Sequence, residues 1–209
     1  MENSLHKIAQ NVKGFMPEDE GLALNRHALS VSVAGPFLEV GSYCGKSAIY
    51  LGDAAKKLER LLFSIDHHRG SEENQAGWEW HDPEIINTEN NLIDTLPEFR
   101  RNIHSASLEG TVVAVVGESS LVAKNFLSSL ALLFIDGGHG SEPAHADYEG
   151  WLPKLRVGGI FLIHDVFENP DEGGRPPFEI YQRAMNSQVF EEIEKVGSLR
   201  VLKRIAEGI

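Results

Sequence analysis

The chain has 209 residues and a formal net charge of −12, from 31 acidic and 19 basic side chains. This length suits one α/β domain, and the acidic balance argues against a nucleic-acid partner because phosphate binding needs a basic face. One cysteine, Cys44, excludes an internal disulfide, and no apolar run is long enough to span a membrane or form a signal core. We therefore expect a cytoplasmic protein with no membrane partner and a single domain over residues 1–209.

The first 35 residues predict a helical cap in two pieces. Apolar side chains recur at helical spacing over Glu2–Val12 and again over Asp19–Ala34. Pro17 suits a helix start, and Gly35 ends the second piece.

Five short apolar runs beyond this cap predict parallel strands. They are Phe37–Ser42, Arg60–Asp66, Val112–Gly117, Ala131–Ile135 and Gly159–Asp165. Helices are predicted between and after them, over about Ser47–Leu58, Thr88–Ile103, Leu121–Ser129, Pro143–Leu155 and Phe178–Asn186. This alternation predicts an α/β fold with helices on both faces of a mostly parallel sheet. A polar insert spans residues 67–90, and a direct hairpin over 189–205 predicts an antiparallel edge.

The first strand leads into a glycine turn, Gly41-Ser-Tyr-Cys-Gly-Lys-Ser47. A phosphate-binding P-loop needs four residues between its first glycine and Gly-Lys-Ser, but here there are three. A dinucleotide fingerprint has the spacing G-x-G-x-x-G, but here it is G-x-x-x-G. What remains is an acid, Glu39, two residues before a turn that opens a helix. This arrangement suits a ligand with a carboxylate and an ammonium group, and a plain strand–helix turn is the alternative.

Two further strand ends carry acids that could bind such a ligand. Asp66 can accept both hydroxyls of a ribose, or it can cap a helix. His67 follows it and could contact an adenosine. Glu118 and Ser119 could line an adenine pocket, with a helix cap again as the alternative.

The fourth and fifth strands both end in ionisable groups. Asp136 and His139 follow the fourth strand, and His164 and Asp165 end the fifth. Open α/β sheets place their chemistry at the carboxyl ends of strands. We therefore expect the catalytic centre here.

These segments together resemble the class I S-adenosylmethionine-dependent methyltransferases, over about residues 30–170. The resemblance rests on Glu39-Val-Gly-Ser-Tyr-Cys-Gly45, Asp66, Val116-Gly-Glu-Ser119 and Phe134-Ile-Asp-Gly-Gly-His139. The nearest branch includes the metal-dependent catechol and caffeoyl-coenzyme-A O-methyltransferases and the macrolide-sugar O-methyltransferases of the macrocin and mycinamicin type.

The resemblance implies a Rossmann-like seven-stranded sheet of order 3-2-1-4-5-7-6 and the cofactor S-adenosylmethionine. It implies that the cofactor is bound by Glu39, Gly41, Ser42, Tyr43, Gly45, Ser47, Asp66, His67, Gly117, Glu118, Ser119 and Asp136. In relatives the acids ending strands four and five bind a divalent metal, here Asp136 and Asp165. The residue three after the first acid is the general base in relatives, and here that residue is His139.

The chain departs from its relatives at the third metal ligand. Relatives have Glu just before the second acid or Asn just after it, whereas this chain has His164 and Val166. His164 could bind a metal or a substrate, or with Asp165 it could only cap the strand. A magnesium or manganese ion is expected, and an imidazole ligand favours the softer manganese, iron or zinc.

The expected activity is therefore methyl transfer to a hydroxyl of a small molecule. A metal-independent O- or N-methyltransferase, and a protein that binds S-adenosylmethionine for other chemistry such as hydroxylation, remain alternatives. Trp78 and Trp80 are expected to anchor the insert or contact substrate, and the Arg175 loop to form a lid or a dimer contact. Oligomeric state is left open, and Cys44 is not expected to act as a nucleophile.

Overall fold

A computed structural model describes residues 1–71, 82–137 and 140–208. Its helices are α1 (Asn3–Asn11), α2 (Glu18–Leu29), α3 (Lys46–Lys57), α4 (Leu96–Ser105), α5 (Ser119–Asn125), α6 (Ser141–Trp151) and α7 (Arg175–Asn186). None of these helices is long and apolar enough to cross a membrane. The N-terminal cap is confirmed as two helices, α1 and α2.

The strands form one seven-stranded sheet and one two-stranded ladder. They are β1 (Phe37–Val40), β2 (Leu62–Asp66), β3 (Ile86–Asn87), β4 (Leu92–Ile93), β5 (Val112–Val116), β6 (Leu130–Ile135), β7 (Leu155–Ile163), β8 (Phe190–Val196) and β9 (Leu199–Arg204). The large sheet has the order β5-β2-β1-β6-β7-β9-β8, and β3 pairs with β4 alone. This is the expected order 3-2-1-4-5-7-6.

The central strand β6 is buried along its whole length because both faces of the sheet are covered. Leu132 and Phe134 pack into the apolar core on the side of α1–α4. Leu133 and Ile135 alternate with them and pack into the core beside α5–α7. A continuous apolar run is therefore what this position requires.

The direction of chain connection changes at β1. This strand pairs in parallel with β2 on one side and with β6 on the other, where Val40 is opposite Ile135. The turn after β1 therefore lies beside the end of β6, at the switch point where open sheets bind ligands.

The C-terminal hairpin is confirmed as an antiparallel edge. β9 pairs antiparallel with both β7 and β8. Arg204 is buried on β9 and donates to the carbonyl of Leu155 and, at 3.1 Å, to that of Ala206.

Several predicted boundaries were wrong. The helix expected over Thr88–Ile103 begins only at Leu96, because the side chains of Asn87 and Asn90 accept local backbone N–H groups and form the β3–β4 turn instead. The strand expected from Gly159 begins at Leu155, so the glycines at 158 and 159 lie inside β7. Its pairing with β6 is irregular there.

The second predicted helix was too long by about a turn. It ends at Leu29 rather than Ala34, and the Ser30 hydroxyl donates to the His27 carbonyl at this end. The Arg60 guanidinium then donates to the carbonyls of Val31, Val33 and Gly35. A side chain distant in sequence thus satisfies carbonyls in the irregular segment that follows α2.

Candidate functional site

The turn after β1 needs glycine at position 41. Gly41 has φ of 85°, and an added Cβ would lie 2.3 Å from the carbonyl oxygen of Asp136. The backbone ends of β1 and β6 therefore touch at this residue.

Glu39 is fully buried on β1, directly beneath this turn. Burial raises its pKa to about 8, although the hydroxyls of Ser64 and Ser47 act in the opposite direction. The Ser64 hydroxyl donates to Oε1. Oε2 has no hydrogen-bond partner of ordinary geometry among the described residues. A buried acceptor of this kind favours a ligand donor, since native proteins rarely leave such groups unpaired.

Asp66 holds the same turn from β2. Its Oδ2 accepts the backbone N–H groups of Ser42 at 3.0 Å and Tyr43 at 2.8 Å, and its Oδ1 accepts that of His68 at 2.7 Å. A carboxylate has about four lone-pair directions, so capacity for a ligand hydroxyl remains. The expected capping role and the expected ribose role are therefore compatible.

The start of α3 faces the turn as expected. Gly45 precedes the helix with φ of 90°. A Cβ added to Gly45 would lie 3.0 Å from the Phe99 ring, so the space for a side chain is already filled. The buried hydroxyl of Ser42 has no hydrogen-bond partner among the described residues. Backbone N–H groups at a helix start attract a ligand carboxylate.

The residues expected around adenine are less clearly arranged. The backbone N–H of Gly117 donates to the Asp66 carbonyl at 3.1 Å, which fixes the two strand ends together. The Ser119 hydroxyl accepts from the Trp151 indole at 2.7 Å, and Glu118 accepts from the Ser120 hydroxyl at 2.6 Å. The half-exposed His67 accepts the Arg69 backbone N–H at 3.0 Å. The side chains of Ser119, Glu118 and His67 thus make hydrogen bonds that are local or directed into the core.

A carboxylate–imidazole cluster lies across the ends of β6 and β7. His164 Nδ1 is 2.8 Å from Asp136 Oδ1 and 3.4 Å from Asp165 Oδ1. One ligand atom from each residue lies within 4.8 Å of the others. Asp165 has φ of 55°, a strained conformation of the kind found at functional sites.

The spacing of this cluster could hold a divalent metal ion. Neighbouring ligands of a six-coordinate ion with bonds of about 2.1 Å lie about 3 Å apart. The two separations from His164 Nδ1, 2.8 and 3.4 Å, bracket that value. Two carboxylates and an imidazole therefore fit a divalent cation in number, type and separation.

Sequence reasoning missed one member of the cluster, Glu20. Its Oε2 lies 2.5 Å from His164 Nε2, and both side chains are only 3% exposed. No local sequence signal reveals this contact, because the two residues are 144 positions apart. The helix dipole alone also favours an acidic residue in the first turn of α2, where Glu20 lies.

His164 is therefore flanked by carboxylates on both ring nitrogens. Burial alone would lower its pKa, but Asp136, Asp165 and Glu20 outweigh burial and hold the pKa well above its usual value. Binding a metal at Nδ1 would displace the proton from that nitrogen.

Other expected residues fall outside the cluster or outside the described residues. His139, Trp78 and Trp80 lie outside the described residues. The Arg175 guanidinium lies 4.3 Å from the Phe178 ring centroid and donates to the Glu168 carbonyl at 3.1 Å, so it holds the loop after β7. Cys44 is buried, and burial raises its pKa to about 12, which agrees with the expectation that it is not a nucleophile.

A cavity of about 690 Å³ opens beside His164 and Asp165. Apolar and charged side chains both line it, including Phe15, Phe167 and Arg200. This volume is in the range of small-molecule sites.

Comparison with known proteins identifies the family. A family model described as a methyltransferase domain matches residues 38–166, more than half of the chain. The chain belongs to this methyltransferase family. The matched segment contains the Gly41 turn, Asp66, Asp136 and the end of β7, so the methyltransferase assignment covers both halves of the site.

Solved methyltransferase structures share the fold. The O-methyltransferase NovP aligns with a TM-score of 0.63 at 20% identity, over 97% of this chain and 79% of that chain. TomG from Streptomyces achromogenes, an O-methyltransferase involved in tomaymycin synthesis and solved with SAM, gives 0.67 at 16%, over 99% and 91%. PaMTH1 from Podospora anserina, solved with SAH, gives 0.70 at 13%, over 99% and 89%. At these identities the similarity establishes the fold.

Proposed function

We propose that this methyltransferase transfers the methyl group of S-adenosylmethionine to a hydroxyl of a small molecule, with a divalent metal and His139 as general base. One observation carries the proposal. The Gly41 turn, with its unpaired buried acceptor on Glu39, adjoins the Asp136–His164–Asp165 cluster at a single sheet edge. This adjacency supports a cofactor site and an acid–base site at the same edge of the sheet.

Several groups near the Gly41 turn are proposed to bind S-adenosylmethionine. Glu39 Oε2 accepts a hydrogen bond from the ammonium group, and the backbone N–H groups at the start of α3 bind the carboxylate. Asp66 accepts a hydrogen bond from a ribose hydroxyl with its remaining lone pair. Gly117 and Glu118, at the end of β5, lie next to the adenine, where the absence of a side chain at 117 gives space.

The metal is proposed to be bound by Asp136, His164 and Asp165. When bound, it would orient an acceptor hydroxyl and lower the pKa of that hydroxyl. Magnesium and manganese both suit the two carboxylates, and the imidazole favours manganese.

His139 is proposed to remove the acceptor proton. It follows Asp136 by three residues in the sequence, the position of the general base in the O-methyltransferases that the chain resembles. General-base catalysis contributes roughly 10²–10⁴-fold to rate. The deprotonated acceptor oxygen attacks the methyl group, and the proton stays on His139 until it is released to solvent.

The acceptor is proposed to occupy the cavity beside Asp165. Its volume of about 690 Å³ suits a small molecule. NovP and TomG are O-methyltransferases, and TomG is involved in tomaymycin synthesis, which also favours a hydroxyl acceptor.

A second candidate is metal-independent methyl transfer. The observation in its favour is that both ring nitrogens of His164 already contact carboxylates, so the cluster is satisfied by hydrogen bonds alone. Comparison of turnover before and after removal of divalent metal separates the two candidates.

The direct test is calorimetry with S-adenosylmethionine, with and without manganese, followed by a screen of hydroxylated metabolites for S-adenosylhomocysteine release. We expect cofactor binding and metal-stimulated turnover. Absence of cofactor binding would contradict the whole proposal, whereas full turnover after chelation would contradict only its metal component.

Replacement of the proposed base tests its role separately. His139→Ala is expected to lower turnover by about 10²–10⁴-fold and to leave the affinity for S-adenosylmethionine within about twofold. The expected reason is that the imidazole acts on the acceptor and not on the cofactor. An equal loss of cofactor affinity, measured by calorimetry, would show that His139 is not acting as a base alone.

A further inference from the structure

We propose that Glu20 is a positioning residue of the metal centre, which fixes His164 so that Nδ1 faces Asp136 and Asp165. This inference rests on the metal component of the proposed function. It assigns a role to a residue of the N-terminal cap that sequence motifs do not mark.

The contact geometry supports this role. Glu20 Oε2 is 2.5 Å from His164 Nε2, and the opposite ring nitrogen, Nδ1, is 2.8 Å from Asp136 Oδ1. The imidazole is therefore oriented along a line from Glu20 to the metal-binding carboxylates. Both Glu20 and His164 are 3% exposed, so water does not compete for this hydrogen bond.

The chemistry of the pair fixes the tautomer of the ring. A neutral imidazole has one donor nitrogen and one acceptor nitrogen, and an ionised carboxylate only accepts. Glu20 therefore holds one ring hydrogen on Nε2, and a metal that displaces the Nδ1 proton facing Asp136 would find the Nδ1 lone pair available. Metal-binding histidines commonly donate their second nitrogen to a carboxylate in this way.

Glu20 is itself held by the turn between β8 and β9. Its Oε1 accepts the backbone N–H of Ser198 at 2.7 Å and the Ser198 hydroxyl at 3.1 Å. The turn reaches this close because Gly197, with φ of 52°, has no side chain where an added Cβ would lie 2.2 Å from Glu20 Oε1. Both carboxylate oxygens are thus used as acceptors.

This double use makes Glu20→Gln an informative variant. A glutamine oxygen directed at Ser198 places the amide NH₂ against His164, which then requires an acceptor at Nε2 and a hydrogen on Nδ1. A glutamine oxygen directed at His164 instead places the amide NH₂ against the Ser198 backbone N–H, so that two donors face each other. The change preserves shape and removes the hydrogen-bond pattern that prepares Nδ1 for a metal.

The chain offers a matched control in Glu194→Gln. Glu194 Oε2 lies 2.5 Å from His27 Nε2, so this pair also joins α2 to the C-terminal hairpin. It lies outside the proposed metal cluster. Any effect from weakening the attachment of α2 to the hairpin should therefore appear in both variants.

The experiment measures Mn²⁺ and Co²⁺ affinity by calorimetry and the visible absorption spectrum of bound Co²⁺. Glu20→Gln is expected to weaken metal binding by about 10- to 100-fold and to alter the Co²⁺ spectrum. Glu194→Gln is expected to retain the affinity and spectrum of the unchanged protein. Equal affinity in Glu20→Gln and the unchanged protein, or an equal loss in both variants, would overturn the proposal.

Two further measurements keep the result interpretable. If Glu20→Gln does not fold, Ser198→Ala removes one hydrogen bond to Glu20 and is expected to weaken metal binding by about two- to tenfold; unchanged binding there would overturn the proposal. S-adenosylmethionine affinity is measured on every variant. An unchanged protein that binds this cofactor but no metal overturns the role of Glu20 and leaves methyl transfer intact, whereas loss of cofactor binding contradicts the proposed function itself.

Discussion

At the scale of single residues, Glu39 makes the sharpest prediction about cofactor binding. Glu39→Gln removes the charge that is proposed to face the cofactor ammonium group and keeps the shape of the side chain. A hydrogen bond between charged groups contributes about 1.5–3 kcal/mol, so affinity for S-adenosylmethionine should fall about 10- to 100-fold.

Calorimetry with S-adenosylmethionine and S-adenosylhomocysteine checks this, and both should weaken equally because both carry the same amino-acid group. Glu59→Gln is the control, since Glu59 is exposed just beyond the far end of α3. Unchanged affinity in Glu39→Gln would show that this buried carboxyl group does not bind the cofactor.

Gly41 gives a second prediction at this scale. Gly41→Ala places a Cβ 2.3 Å from the Asp136 carbonyl oxygen in a left-handed conformation, so the ends of β1 and β6 must separate. The free energy of unfolding should fall by about 2–4 kcal/mol, from backbone strain and overpacking together.

The measurement for Gly41→Ala is chemical denaturation, compared with Gly110→Ala. An added Cβ at Gly110 meets no atom within 4 Å, so that variant should stay within about 0.5 kcal/mol of the unchanged protein. Similar losses at both positions would show that close approach is not what Gly41 provides.

These residues differ in how far the sequence reveals them. The positions of Glu39, Asp66 and Asp136 in the fold were predictable because each lies at or near a strand end, which local sequence patterns locate. The contact of Glu20 was not predictable, because its partner His164 comes near it only when the strands have assembled into the sheet. A contact that depends on the whole topology leaves no local pattern.

At the scale of elements, Arg60 stabilises the irregular segment that follows α2. Its guanidinium donates to three carbonyls in residues 31–35 and lies 5.5 Å from the Phe37 ring centroid. Arg60→Lys keeps the charge, but lysine lacks the planar guanidinium that reaches three acceptors at once. The free energy of unfolding should fall by about 1–3 kcal/mol.

Thermal and urea unfolding check this expectation, with the exposed Arg156→Lys on β7 as the control. The control should change stability by less than about 0.5 kcal/mol. A loss no greater than that of the control would mean that the carbonyls after α2 are satisfied equally well without the guanidinium.

The predicted elements were most accurate where the sequence pattern allows few alternatives. β6 and the C-terminal hairpin were located to within about a residue, because a continuous apolar run and a direct turn each allow few alternatives. The predicted start of α4 was wrong by about eight residues. Asparagine side chains before the helix accept backbone N–H groups that a helix would use, and apolar periodicity does not reveal these hydrogen bonds.

At the scale of the whole molecule, buried ionisable groups predict how stability depends on pH. Burial raises the pKa of Glu39 to about 8, so between pH 6 and 8 the native state holds a proton that the unfolded state has released. The raised pKa of His164 acts with the same sign, since its stabilising charge is present below the unfolded value and lost as pH rises. The free energy of unfolding of the cofactor-free protein should therefore fall from pH 6 to 8, by up to about 1.4 kcal/mol per pH unit for each group.

Urea midpoints at pH 6, 7 and 8 measure this slope, and Glu39→Gln should make it shallower by removing one titrating group. S-adenosylmethionine should act in the opposite direction, because its ammonium group requires the ionised carboxylate and its affinity should rise towards pH 8. The stabilisation that the cofactor provides should therefore grow over the range in which the cofactor-free protein weakens. A slope that Glu39→Gln leaves unchanged, together with cofactor stabilisation independent of pH, would show that Glu39 does not titrate in this window.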